Sequence, residues 1–284
     1  MTGYKGVPTI RKRLIGSQLR RLREAAGVSV EAAAEKMGVG HSSLRRQESG
    51  HTAVSLSDAR SYIDIYEVQD EVVANRLLDL ARHGRTRGWW SAYDKTVGPD
   101  LVDVADAEDL AVDIKTFQPL LIPGIFQTRE YTETVISLGR GLGLPVDDLV
   151  SLRERRKEIL NRAQPPRIWA IIGEAALAQR VGGDDVMRDQ TQHLLDLSQL
   201  PHVSIRVLPF SAGAHVGLSG GFVVMSFDDT LEGSITLMEG PSGDVFNDEP
   251  AEVGRTLLRH THIQAQAMSA DDTRRYLLET ISAK

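Results

Sequence analysis

The densest group of side chains able to do chemistry lies between Ser29 and Gly50. In VSVEAAAEKMGVGHSSLRRQESG, residues 28–50, a Gly38-Val39-Gly40 turn is followed by His41, Ser42, Ser43, Arg45 and Arg46. Hydroxyl, imidazole and guanidinium groups in such a run can bond to base edges and phosphates. An arginine can also hold O6 and N7 of a guanine with both arms of its fork. Three other groupings imitate catalytic or cofactor motifs. Gly217-Leu218-Ser219-Gly220-Gly221 has G-x-S-x-G spacing, but that nucleophile needs a strand before the serine and a helix after it. Here a loop precedes Ser219 and the apolar run Phe222–Phe227 follows. His260-x-His262 could offer two metal ligands, yet residues two apart on a helix point away from each other and no third ligand is obvious. Gly139-x-Gly141-x-Gly143 reads as a helix terminator, because no strand feeds it as a dinucleotide turn requires. A catalytic residue, a metal and a cofactor are therefore not expected.

The elements that must position the 29–50 group are short helices separated by glycine. Ile10–Ala26 places Leu14, Ile15, Leu19 and Leu22 on one face and arginines on the rest, and Gly27 closes it. Ser29 is an N-cap for Val30–Met37, and the helix after the turn is expected over Ser42–Ser49, ended by Gly50. Two more are expected over Leu56–Tyr66 and Glu71–His83, capped by Ser55 and Asp70. A second helix led by its N-terminus fits a major groove about 12 Å wide. Ser29 and the amides behind it can grip phosphate. Arg11 and Arg13 either bind phosphate or form a solvated helix start.

Residues 1–50 hold ten Lys/Arg against four Asp/Glu, and the remaining 234 hold 23 against 35. A basic head on an acidic body presents one end to a polyanion and repels it with the rest. The chain has no cysteine, which excludes disulfides and thiolate metal sites and fits a reducing cytoplasmic location. No run of about 18 apolar residues exists, so no membrane span is expected. No apolar segment follows the early positive charges, so no secretory signal is expected either.

With 284 residues the chain can hold a small domain and a medium one. The expected division is a helical domain over 1–83, a polar and basic linker over 84–88, and a domain over 89–284. In the latter Ala107, Leu110, Ala111, Ile114 and Phe117 recur at helical spacing. Helices are expected over Arg129–Leu138, Asp147–Ala163, Asp185–Leu200, Pro250–Met268 and Asp271–Ile281. Strands are expected over Arg167–Ile172, Val203–Leu208, Phe222–Phe227 and Ser234–Glu239. The fold class is α+β, an all-α head followed by a domain with a small antiparallel or mixed sheet.

Residues 28–50 resemble the Cro/CI-type (XRE) helix-turn-helix of phage and bacterial repressors through Ala34, the Gly38-Val39 turn and Glu48-x-Gly50. The resemblance extends over about Ile10–His83. It implies a regulator of transcription, base contacts from His41, Ser42 and Arg46 with Arg45 beside them, and a homodimer on paired half-sites of double-stranded DNA. It also implies that Arg23 and Glu48 form a semi-buried ion pair locking the recognition helix to the first helix. Two residues depart from the family pattern: Val30 stands where a DNA-touching Gln is common, and Gln47 where an apolar residue is usual.

Residues 89–284 are similar to a domain that follows this motif in many actinobacterial regulators and is sometimes called antitoxin-like. The similarity rests on Trp89-Trp90-x-x-Tyr93, Phe117-Gln118-Pro119, Ile122-Pro123-Gly124-Ile125-Phe126-Gln127-Thr128-x-x-Tyr131, Gly173–Leu177, Val207–His215 and Leu218–Phe222. It implies a DNA-binding regulator often encoded beside a small antagonistic protein, and no known reaction. Partner- or ligand-binding candidates are Trp89, Trp90, Glu174, Pro209, Phe210, His215 and Ser219. For the Ser211–Gly221 loop a tight packed connection competes with a recognition surface. Trp89 and Trp90 read first as core or interdomain packing and second as an exposed binding surface, and Glu174 as either a buried paired carboxylate or a pocket ligand. Two other functions remain open, an antitoxin-like protein that neutralises a small partner and a hydrolase using Ser219.

Overall fold

The computed structural model describes residues 9–83, 88–140, 143–227, 233–240 and 245–282. The chain forms two compact units, Met1–Ser91 and Ala92–Lys284. Of the linker expected over 84–88, residues 84–87 lie outside the described residues. The first unit continues to Ser91, beyond the expected boundary, and includes Trp89 and Trp90. The Trp90 ring is buried under the Arg11 guanidinium, 5.0 Å from its centroid, and Trp89 meets it edge-on.

The first unit contains α1 (Ile10–Ala25), α2 (Val30–Met37), α3 (His41–Glu48), α4 (Leu56–Ile65) and α5 (Glu71–His83). Apolar residues at helical spacing on α1, with Ala33 and Ala34 on α2, enclose a core around Leu44, Tyr62 and Leu77. Side chains satisfy helix starts where the sequence supplies oxygen acceptors. Ser29 accepts from Ala32 N, Ser55 and Asp58 form a reciprocal capping box, and Asp70 accepts from Val72 N.

The second unit is a mixed sheet with helices. Its elements are α6 (Pro99–Leu110), β1 (Asp113–Gln118), α7 (Arg129–Ser137), α8 (Val146–Arg156), β2 (Arg167–Gly173), α9 (Glu174–Ala178), α10 (Asp184–Leu197), β3 (Val203–Leu208), β4 (Phe222–Ser226), β5 (Ser234–Met238), β6 (Val245–Asn247), α11 (Pro250–Gln266) and α12 (Ala270–Ser282). The strand order is β3-β2-β1-β4-β5-β6; β1, β2 and β3 run parallel, and β4, β5 and β6 pair antiparallel to their neighbours. The protein is thus α+β, with six strands among the described residues.

Ala107, Leu110 and Ala111 belong to α6 and its end, whereas Ile114 and Phe117 belong to β1. β1 lies between β2 and β4, and residues on both of its faces are buried, so Asp113, Ile114, Thr116 and Phe117 do not alternate with wet positions. A strand covered on both sides loses the period of two and merges into the helical pattern before it. The expected Asp147–Ala163 helix stops at Arg156 and continues as a 3-10 turn, Lys157–Asn161. In the Gly139–Gly143 segment, Gly139 follows the end of α7 with its N–H on Ile136 O, while Gly141 lies outside the described residues.

Candidate nucleic-acid interface

Gly38 ends α2 in the left-handed conformation, at φ 65°, and Gly40 caps α3 without a side chain. α3 therefore starts at His41, one residue earlier than the sequence suggested, because an extended Gly40 suffices as a cap. The Ser43 amide already bonds Gly40 O at 2.9 Å, which leaves the His41 and Ser42 amides at the tip of α3 to suit an anion. His41, Ser42, Arg45 and Arg46 are exposed and Ser43 half-buried, while Leu44 and Gln47 point into the core. Arg45 leans toward Glu31 of α2 at 3.7 Å, and Arg46 Nε donates to the Thr52 hydroxyl at 3.4 Å. Both contacts are long and solvent-exposed, so either guanidinium can turn to another acceptor at little cost. Ser29 is exposed at the start of α2, its hydroxyl engaged as the cap. Arg11 and Arg13 are half-buried on α1, and the Arg11 charge is shared with the Trp90 ring.

What holds α3 is a set of buried polar and close backbone contacts. Arg23 Nε donates to Glu48 Oε1 at 2.6 Å, NH2 to Oε2 at 3.2 Å and NH1 to Val28 O at 3.0 Å. The two side chains are 10% and 8% exposed, so little solvent screens the pair. Hydrogen bonding to Glu48 raises the Arg23 pKa further, against the opposing cost of burial. Gln47, the departure from an apolar position, is buried and accepts the Tyr62 hydroxyl. That bond explains how an amide is tolerated in the core. Two glycines let α1 approach the end of α3. A Cβ on Gly16 would stand 2.5 Å from Gln47 O, and one on Gly50, at φ 76°, would stand 2.9 Å from the backbone of Lys12 and Arg13. Sequence reasoning missed Gly16 and Tyr62; a glycine inside the apolar α1 pattern is the one local signal for the first.

In the second unit the carboxyl ends of β1, β2 and β3 gather several expected residues. Glu174 is half-buried after β2, its Oε2 accepting from Phe210 N at 2.6 Å and its Oε1 from the Tyr276 hydroxyl at 3.3 Å. The carboxylate thus ties the end of β3 to α12. Pro209 is half-buried, and Phe210 is exposed at the same rim as Leu120 and Leu218. His215 packs edge-on against Phe117, and its Nδ1 accepts from Gly217 N at 3.1 Å. Ser219 is exposed before β4 and shares no hydrogen bond with a histidine among the described residues. His260 is buried, its Nε2 donating to Trp169 O at 3.3 Å, whereas His262 is exposed. Among the described residues no cluster of three metal-ligating side chains occurs, and no helix is long and apolar enough to cross a membrane.

A glycine-turned helix pair, with its second helix pinned from behind and polar in front, defines a helix-turn-helix protein of the DNA-binding regulator class. Residues 14–76 match the helix-turn-helix domain family. Residues 101–279 match the family described as a domain of unknown function (DUF5753), and the chain belongs to that family. No curated protein and no solved structure matches the chain.

Proposed function

We propose that the protein is a sequence-specific transcriptional regulator of the Cro/CI type that binds operator half-sites as a homodimer through α3. The exposed His41, Ser42, Arg45 and Arg46 on a helix locked by the Arg23–Glu48 pair carry this reading. Arg46 reads a guanine, the leading residues of α3 meet neighbouring bases, and Ser29, Arg11 and Arg13 hold phosphates. The second unit receives the regulatory input by binding a small protein partner. Exposed Leu120, Phe210 and Leu218 support that role, since apolar side chains displayed at one rim suit a protein surface better than a small polar metabolite. The partner releases DNA if it prefers the DNA-free arrangement, because equal affinity for both states shifts nothing. Genome-wide footprinting of the bound protein tests the reading. A single recurring motif of two half-sites, centred about 10 base pairs or a multiple apart, is the expected result. Occupancy spread without a motif contradicts it.

A further inference from the structure

Arg153, on α8, carries a charge with no carboxylate bonded to it among the described residues. Its NH1 donates to Gln127 Oε1 at 3.1 Å. That acceptor is neutral and already takes the Thr132 hydroxyl at 3.2 Å, while the amide nitrogen of Gln127 donates to Ile122 O at 2.8 Å. One turn further along α8, Arg156 shows the arrangement that Arg153 lacks. It grips Glu108 through Nε at 2.6 Å and NH2 at 2.7 Å, with both side chains 8% exposed. The equivalent Nε–NH2 edge of Arg153 meets no acceptor among the described residues.

A Cβ on Gly124 would stand 3.6 Å from Arg153 Nε and 3.7 Å from Arg156 NH2, ordinary contact distances, so room for a methyl exists beside both guanidinium groups. The Tyr131 hydroxyl, which feels the Arg153 charge, accepts from Ile122 N at 3.4 Å and retains its own proton for donation. Burial first, and then the like charge of Arg156, push the Arg153 pKa down to about 10; Glu239 and Glu108 oppose this without forming an ion pair to it. A guanidinium stays protonated at neutral pH regardless, so Arg153 keeps its charge at this position.

We propose that the unbonded Nε–NH2 edge of Arg153, beside Gly124, is a binding site for an oxyanion of the carboxylate or phosphate class. A planar fork with two parallel N–H groups matches two oxygens of such a group, as Glu108 on Arg156 illustrates. This site is independent of the protein-partner reading, and the two can fail separately.

The test is thermal unfolding of the full chain in inorganic phosphate, in acetate and in chloride at equal ionic strength. With about 50 mM of the preferred oxyanion the wild type should gain about 2–4 °C over chloride. Arg153→Gln should lose the gain while unfolding in chloride no earlier than the wild type, since an unpaired charge has been removed. Gly124→Ala, whose new methyl makes only ordinary contacts, should keep the chloride midpoint and lose most of the gain. A larger response to phosphate or to acetate assigns the ligand group. No response to either anion, or an equal response in Arg153→Gln, overturns the proposal.

Discussion

Arg23 spends all three of its guanidinium nitrogens on buried or half-buried acceptors, two of them on Glu48. Removing Glu48 would leave that cation partly buried with only the exposed Glu24 carboxylate, 3.4 Å from NH2, as a counter-charge, and breaking a buried pair is costly. Glu48→Ala should therefore destabilise the first unit by about 3 kcal/mol, and Arg23→Ala similarly. The double variant should cost less than the two together, measured as a cycle by chemical denaturation; strict additivity would show that the residues do not act as a pair. His260 gives the second prediction at this scale. Burial holds its imidazole neutral and lowers its pKa from 6.5 to about 4, with Lys115 adding to the depression and the Trp169 carbonyl and Asp113 opposing it. The unfolded chain binds a proton near pH 6.5 and the folded chain does not. Stability from this site is thus full above pH 6.5 and is lost as pH falls toward 4, by on the order of 2–3 kcal/mol. Denaturation midpoints across that window should slope in the wild type and flatten in His260→Gln. An unchanged slope would place the protonation elsewhere.

At the scale of elements, the position of α3 depends on how closely α1 can pass behind it. Gly16→Ala would set a methyl 2.5 Å from Gln47 O and 2.6 Å from Glu48 O, both backbone atoms at the end of α3. The helices must separate, and overpacking of this kind costs roughly 1–3 kcal/mol. The variant should bind DNA more weakly while the second unit unfolds as before, read as two transitions by calorimetry; wild-type affinity would show that α3 is not positioned there. The helices of the first unit were legible because glycine, Ser29, Ser55 and Asp70 punctuate a clean apolar period. The tight approach at Gly16 was not, since its cause is a residue 31 positions away on another helix. Likewise Gln47 looked like a flaw in the core until Tyr62 appeared opposite it. β1 was hidden because residues on both of its faces are buried, and β6, only three residues long, has too few positions to show any period. In the second unit the rim at Glu174 drew attention through its residue types. The bonds from Phe210 N and Tyr276, which fix its carboxylate, cross 36 and 102 positions of sequence.

At the scale of the whole molecule, charge and chemistry are divided along the chain. Ten of the 33 Lys/Arg fall in residues 1–50, against only four of the 39 Asp/Glu. An acidic remainder is expected to add little to a footprint on a polyanion. Selection of bound duplexes from a random pool by the wild type and by Arg46→Ala tests whether the full chain reads base sequence through α3. The wild type should enrich one site, and the variant should bind that site about 10- to 100-fold more weakly, with preference relaxed at one base pair of each half-site. Enrichment of the same site with the same affinity and the same preference at every position would contradict the account.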